Sequence, residues 1–352
     1  AAAIASFEAA LRLQPHLPPA LFGLGNALAA AGRYAEALPR LERAIGLDPK
    51  FALAWLSLGT THQALGAHAA ALRAFDEALR LRPDLGLAHM HRAVTRLTLR
   101  DFTRGLPEYE WRLESAAPHD APLLPRWRGE PADTRTLFVY AEQGFGDTLQ
   151  FVRLVPLAAQ RVGHVVLEVQ PALVPLVAPA AQQWGVKLIA QGAPRPRADL
   201  QIPLLSLTHA LGITFDTIPA TTPYLTAPAA YRRKWRGSLG GHAKRKIGLA
   251  WSGRMQKQEN RTMPLAALEP LFAIEGIDWI VLQPDLSDAE HAALATHPHA
   301  QRIHRFGTRL ADFADTAAVI ERLDAVVSVD TSIAHLAGAL RKPLWVMLPF
   351  SA

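Results

Sequence analysis

The 352-residue chain contains no cysteine. That absence excludes a disulfide framework, a cysteine-ligated zinc site and a thiol nucleophile, and nothing in the composition points to an oxidising compartment. No apolar run reaches the roughly 18 residues that a membrane-spanning helix needs. The Ala-rich start carries an early Glu8 and no cleavage-like signal region, so a cytoplasmic address is the expectation. Acidic residues are in deficit, 31 against 37 Lys and Arg, and the resulting +6 raises the question of nucleic acid or another anionic partner. Hydrophobic residues, by contrast, make up half the chain. That is far too many for a disordered protein, and at about 100–200 residues per domain the length suggests two or three domains.

Self-similarity organises the first third. Pro15, Pro49 and Pro83 recur at a spacing of 34 residues. Ahead of them run Ala3, Phe7, Ala10; Ala37, Leu41, Ala44; and Ala71, Phe75, Ala78, one small-large-small series at i, i+4 and i+7. Between these lie Leu21, Leu24, Gly25, Leu28, answered by Trp55, Leu58, Gly59, His62. Small residues let two antiparallel helices approach, large ones fill the gap, and proline stops the second helix. The pattern resembles the tetratricopeptide repeat. A degenerate last unit places Gly105, Tyr109 and Arg112 in the Ala, Phe and Ala positions, with Trp111 expected to pack the solenoid end onto the next part of the chain. The first unit lacks its leading helix, so the chain is expected to begin inside a longer array. By resemblance the repeats offer a concave groove for a protein or peptide partner.

Beyond a proline-rich joint with Pro118, Pro122, Pro125 and Pro131, the pattern changes to short apolar runs alternating with helical stretches. Strands are expected at 136–140, 164–170, 184–190 and 199–203, then at 246–252, 278–283, 302–306, 325–330 and 343–348. This is the signature of parallel, doubly wound sheets. The expected division is repeats over 1–113, a linker over 114–135, a first Rossmann-like half over 136–226, an interdomain linker over 227–245 and a second half over 246–352. Ligands in such sheets sit beyond the carboxyl ends of strands.

Three motifs lie at such positions. After the first strand comes Glu142-Gln143-Gly144-Phe145-Gly146-Asp147, where Gly144 and Gly146 permit a tight turn and Asp147 stands at the helix start. It is a poor dinucleotide fingerprint: Leu149 occupies the third glycine position, and Asp147 would repel a pyrophosphate. The second motif, Asp330-Thr331-Ser332-Ile333-Ala334-His335, sets hydroxyl residues at a strand-to-helix turn whose N–H groups suit a diphosphate, with His335 one turn in. The third, Trp251-Ser252-Gly253, runs into a cationic loop ending at Arg261 and containing Lys257. Phosphate would be held there as well.

Together, with Asp315-Thr316 ahead of the last motif, these pieces resemble glycosyltransferase family 9, the heptosyltransferase-like group, and most closely its bacterial members preceded by tetratricopeptide repeats. The likeness runs from about Trp127 to the chain end. It implies the GT-B fold: an acceptor-side half, a nucleotide-sugar half, and inverting chemistry between them with no required metal and no cofactor beyond the nucleotide-sugar donor. By matching positions, Asp147 is implied as general base, Thr331 and Ser332 as diphosphate contacts, and Asp330 and His335 as support for the donor, with Ser252, Gly253, Lys257 and Arg261 on the same side. Glu142, Gly144 and Gly146 would shape the loop. The layout of repeats ahead of GT-B also resembles protein O-GlcNAc transferases. Departures exist: Arg254-Met255-Gln256-Lys257 stands where relatives often carry Asn-Pro-x-His, and Arg341 where Gly is usual. The helices that close a GT-B fold at its C-terminus are expected to be missing.

Plainer roles compete for the same residues. Asp147 and Asp330 suit helix caps, His335 a packed or capping imidazole, and the tryptophans at 111, 127, 235, 251, 279 and 345 core and interface positions. A non-catalytic adaptor, with binding repeats and a degenerate transferase domain, is therefore the alternative reading. The charge is localised. Residues 1–113 hold 13 basic and 10 acidic side chains, whereas 231–261 hold ten basic against the single Glu259. Set beside the expected donor site, that excess suits a nucleoside diphosphate better than nucleic acid.

Overall fold

The computed structural model describes residues 1–114, 124–239, 244–253 and 262–348. They form two compact units: the first 114 residues grouped with Ile213–Ile218, and a larger unit made of the others.

The first unit is a run of antiparallel helices: α1 (Ala2–Leu13), α2 (Pro18–Ala30), α3 (Tyr34–Leu47), α4 (Ala52–Ala64), α5 (His68–Leu81), α6 (Gly86–Thr98) and α7 (Phe102–Tyr109), then a 3₁₀ turn over Glu110–Leu113. Each marker proline lies two residues past a helix end. The residues before them, Gln14, Asp48 and Arg82, take nearly one conformation, with φ of −134°, −134° and −139°. Proline imposes this, because its ring excludes the helical region for its predecessor. The small-large-small residues of α3 and α5 are completely buried. A Cβ on Gly25 would lie 2.7 Å from Leu41, and one on Gly59 would collide with the Phe75 ring, so the glycines permit the close approach of paired helices. A second 34-residue signal emerges in the turns: Gly32, Gly66 and Arg100 all have positive φ, 74°, 71° and 62°. The Trp111 indole stacks on His89 of α6 at 4.0 Å. Beneath that stack the buried Glu108 accepts from Arg92, Arg96 and His89, which pins α7 to α6.

The larger unit contains two parallel sheets. The first has order β3-β2-β1-β4, from β1 (Ala132–Tyr140), β2 (Val162–Val169), β3 (Lys187–Ala190) and β4 (Leu200–Pro203). The second has order β7-β6-β5-β8-β9, from β5 (Arg245–Ala250), β6 (Ile277–Val281), β7 (Ile303–Arg305), β8 (Ala325–Val329) and β9 (Leu344–Met347). Both reverse strand order beside their first strand, between β1 and β4 and between β5 and β8. That is where doubly wound sheets open a crevice. Crossovers are supplied by α8 (Phe145–Phe151), α9 (Val155–Ala159), α10 (Val174–Gln183), α13 (Glu269–Phe272), α14 (Asp288–Thr296), α15 (Phe313–Ile320) and α16 (Ser332–Ala339), while α11 (Leu207–Ala210) and α12 (Ala229–Lys234) lie between the two sheets in sequence. Among the described residues no helix is long and apolar enough to cross a membrane.

Several expectations need correction. The segment read as an interdomain linker holds helix α12, and the buried Trp235 just after it donates its indole N–H to Asp315 at 2.7 Å. Trp127, expected in a linker, is buried, and its backbone N–H bonds to Gln201 on β4. Trp235, Trp251 and Trp279 are core residues, but Trp345 on edge strand β9 is exposed. Part of the basic excess is answered inside the unit: Arg232 pairs with Glu321, Lys234 with Asp315 and Lys244 with Asp278. Aliphatic periodicity reveals strands, but not which acids a basic helix will meet.

Candidate functional site

The motifs assemble at the carboxyl edges of β1, β5 and β8. Asp147 does not cap α8 as an N-cap residue: Gly144 holds that position, and Asp147, three residues on, accepts the Gly144 N–H through Oδ2 at 3.2 Å. Neither Gly144 nor Gly146 has positive φ, so the turn does not call for glycine on conformational grounds. Gly146 serves a close approach instead. A Cβ there would lie 2.7 Å from Cδ2 of His335 on α16, so the first two motifs touch across the two halves of the unit. Phe145 and Phe313 extend that contact with ring centroids 4.9 Å apart.

On the second half, Thr331 is the N-cap of α16 in extended conformation, and its side chain makes no cap hydrogen bond. The Thr331 hydroxyl lies 3.2 Å from Ser328 Oγ, so it is turned toward the end of β8 rather than onto the first-turn N–H groups of its own helix. Asp330 stands one residue ahead of that N-cap, and its Oδ1 lies 3.7 Å from Nε2 of His335. Gly253 brings the third motif alongside, since a Cβ on it would sit 3.0 Å from Thr331 Cγ2. The Ser252 N–H donates to Gln283 Oε1 at 3.0 Å, and Thr262 Oγ1 lies 3.4 Å from Ser252 Oγ. Ser332 occupies the first turn of α16. Lys257 and Arg261 lie outside the described residues. No group of three or more His, Cys, Asp or Glu with metal-binding geometry occurs among the described residues.

Glu142 lies two residues past β1, ahead of the Gly144 turn. It and Tyr140 lie near Arg126, which donates to Ser206 Oγ at 2.9 Å and whose pKa burial lowers. Glu168, inside β2, is buried and paired with Arg195 at 3.0 Å. Some supports were not foreseen. Gln170, after β2, accepts from the buried Thr148 hydroxyl at 2.9 Å and donates to the Gln143 carbonyl at 2.7 Å, which locks the loop before Asp147. The polar residue directly after a strand was the available signal.

Comparison with known proteins bears on the N-terminal region first. The tetratricopeptide repeat family matches residues 1–50, 22–86 and 56–121 in three overlapping registers. The N-terminal region consists of tetratricopeptide repeats. Protein FlbA of Caulobacter vibrioides (strain ATCC 19089 / CIP 103742 / CB 15) is 25% identical over 280 residues, 73% of this chain and 47% of FlbA. An alignment of that length extends past the repeats into the parallel-sheet unit, and the chain spans about half the length of this curated relative. Similar solved structures include MamA, at 22% identity and TM-score 0.30 over 32% of this chain and 65% of MamA. Another is YrrB, described as a TPR protein with an unusual peptide-binding site, at 23% identity and TM-score 0.30 over 32% of this chain and 57% of YrrB.

Proposed function

We propose that this chain is a glycosyltransferase that moves a sugar from a nucleotide-sugar to a protein or cell-surface glycan acceptor, with its tetratricopeptide repeats recruiting the acceptor or a partner. The observation that carries this reading is the meeting of the Asp147 loop with the Asp330–His335 turn, one from each sheet, beside the Ser252-Gly253 end of β5. The arrangement suits displacement at an anomeric carbon. The acceptor oxygen forms the new bond to that carbon, its proton passes to the Asp147 carboxylate, and the electron pair of the breaking bond leaves on the diphosphate. The N–H groups at the start of α16 and the helix dipole then stabilise the charge developing on the leaving diphosphate. Thr331 and Ser332 lie at the same helix end. His335, beside Asp330, orients the donor from the second half.

The test is calorimetric titration with UDP, GDP and ADP, followed by turnover of the matching nucleotide-sugars. Binding of one nucleoside diphosphate is expected, with Asp147→Ala retaining that binding and losing about 10²–10⁴ in turnover, the range for removal of a general base. Turnover unchanged in Asp147→Ala removes the assignment of the base. Absence of nucleotide binding removes the transferase reading and leaves an adaptor built on the repeats.

A further inference from the structure

The segment joining the two sheets is fastened to the second half at successive points. The Ala227 N–H donates to Glu321 Oε1 at 2.8 Å, the Tyr231 hydroxyl to Asp312 at 2.8 Å, and Lys234 and Trp235 both donate to Asp315 at 2.7 Å. These acids lie on or beside α15, so α12 and the residues leading into it belong mechanically to the second half. Tyr224, just ahead of that fastened stretch, reaches both ways. Its backbone N–H donates to the carbonyl of Ala339, the last residue of α16, at 3.2 Å. Its hydroxyl donates to the carbonyl of Leu149 in α8 at 2.9 Å. The Arg153 guanidinium, from the first half, lies over the Tyr224 ring at 5.8 Å from its centroid and donates to the Pro219 carbonyl at 3.4 Å.

The two helices so bridged are those whose opposite ends carry the candidate site. Asp147 lies in the first turn of α8 and His335 in α16, and the helices touch at Gly146. A carbonyl at the end of a helix has no partner within it, and the Tyr224 N–H supplies one to α16 while its hydroxyl holds α8. We propose that Tyr224 is a positioning residue, a strut that sets the spacing and rotation of α8 against α16 and hence of Asp147 against the Asp330–His335 turn. The mechanical part stands on the geometry alone. Its consequence for sugar transfer rests on the reading given under Proposed function.

The cysteine-free chain makes the test direct. Gln182→Cys on α10 and Ala295→Cys on α14, both exposed, carry spin labels on the two halves without competing thiols. Electron–electron distance measurement is then compared with and without Tyr224→Phe, which removes one hydroxyl and keeps the ring. Expected is an outward shift and broadening of the distance distribution, with faster hydrogen exchange confined to peptides covering 145–154 and 332–341. An unchanged distribution, or exchange that rises uniformly across the larger unit, overturns the strut. Calorimetry with UDP, GDP and ADP on the unlabelled wild type reports separately on the transferase reading: a broadened distribution without nucleotide binding keeps the strut and discards sugar transfer. With a donor in hand, Tyr224→Phe is expected to lower kcat while KM for the donor holds, and the reverse split also overturns it.

Discussion

Replacing Gly146 by alanine sets local preference against tertiary contact with opposite signs. Gly146 is the second residue of α8, and on helix propensity alone alanine should stabilise it by up to about 1 kcal/mol. The added methyl, however, would lie 2.7 Å from Cδ2 and 3.3 Å from Nε2 of His335, well inside the roughly 3.5–4.0 Å of an ordinary carbon contact. Forcing a methyl into packed surroundings costs about 1–3 kcal/mol. Contact should win, with net destabilisation of about 1–2 kcal/mol and, for a unit of this size, a fall in Tm of about 2–4 °C per kcal/mol. Denaturant unfolding of Gly146→Ala, His335→Ala and the double variant isolates the cause. In the His335→Ala background the obstruction is gone, so Gly146→Ala should become neutral or stabilising, a coupling of about 1 kcal/mol or more. If Gly146→Ala stabilises equally in both backgrounds, α8 and α16 do not meet there, and the candidate site is wrongly assembled.

Other consequences can be checked with standard methods. Gly66→Ala should destabilise the repeats by about 1–2 kcal/mol in chemical unfolding, because φ of 71° is left-handed and no neighbour lies within 4 Å to add a steric contribution. Asp315→Ala leaves the buried Trp235 N–H without its acceptor and should cost about 1–3 kcal/mol, read from the unfolding midpoint. The same carboxyl links stability to acid. Burial alone would raise its pKa, but bonds from Lys234, Trp235 and the Ala311 N–H outweigh burial and hold it below the ordinary value. Its contribution is therefore full above the unfolded pKa near 4 and lost as pH falls through the lower folded value, a loss that Asp315→Asn should abolish in acid unfolding curves. Tyr231, bonded to Asp312 and raised to about 12, should ionise late in ultraviolet titration and return toward 10 in Asp312→Asn.

The two architectures were legible in the chain because each is written in period. The 34-residue recurrence of Pro15, Pro49 and Pro83 acts through a local steric rule, and it marks the helix ends independently of packing. The β5 and β8 apolar runs placed Ser252-Gly253 and Asp330–Ser332 just past strands, because a buried parallel strand must be continuously hydrophobic. The positive-φ positions were only partly legible. Gly32 and Gly66 invite that reading, while Arg100 conceals it, since the turn is imposed by the flanking helices rather than by the residue.

Sequence alone determined that this chain is repeat helices followed by parallel α/β layers, and which short motifs lie at strand ends, because periodicity and steric exclusion act between neighbours in the chain. Only the tertiary structure decided what those motifs meet. It placed Gly146 against His335, Gly253 against Thr331 and Tyr224 across α8 and α16, and it paired the basic stretch near α12 with Glu321 and Asp315. These partners lie 75 to 189 residues apart in the chain. No local preference records such pairings; they follow from where two sheets and their crossover helices bring distant surfaces into contact.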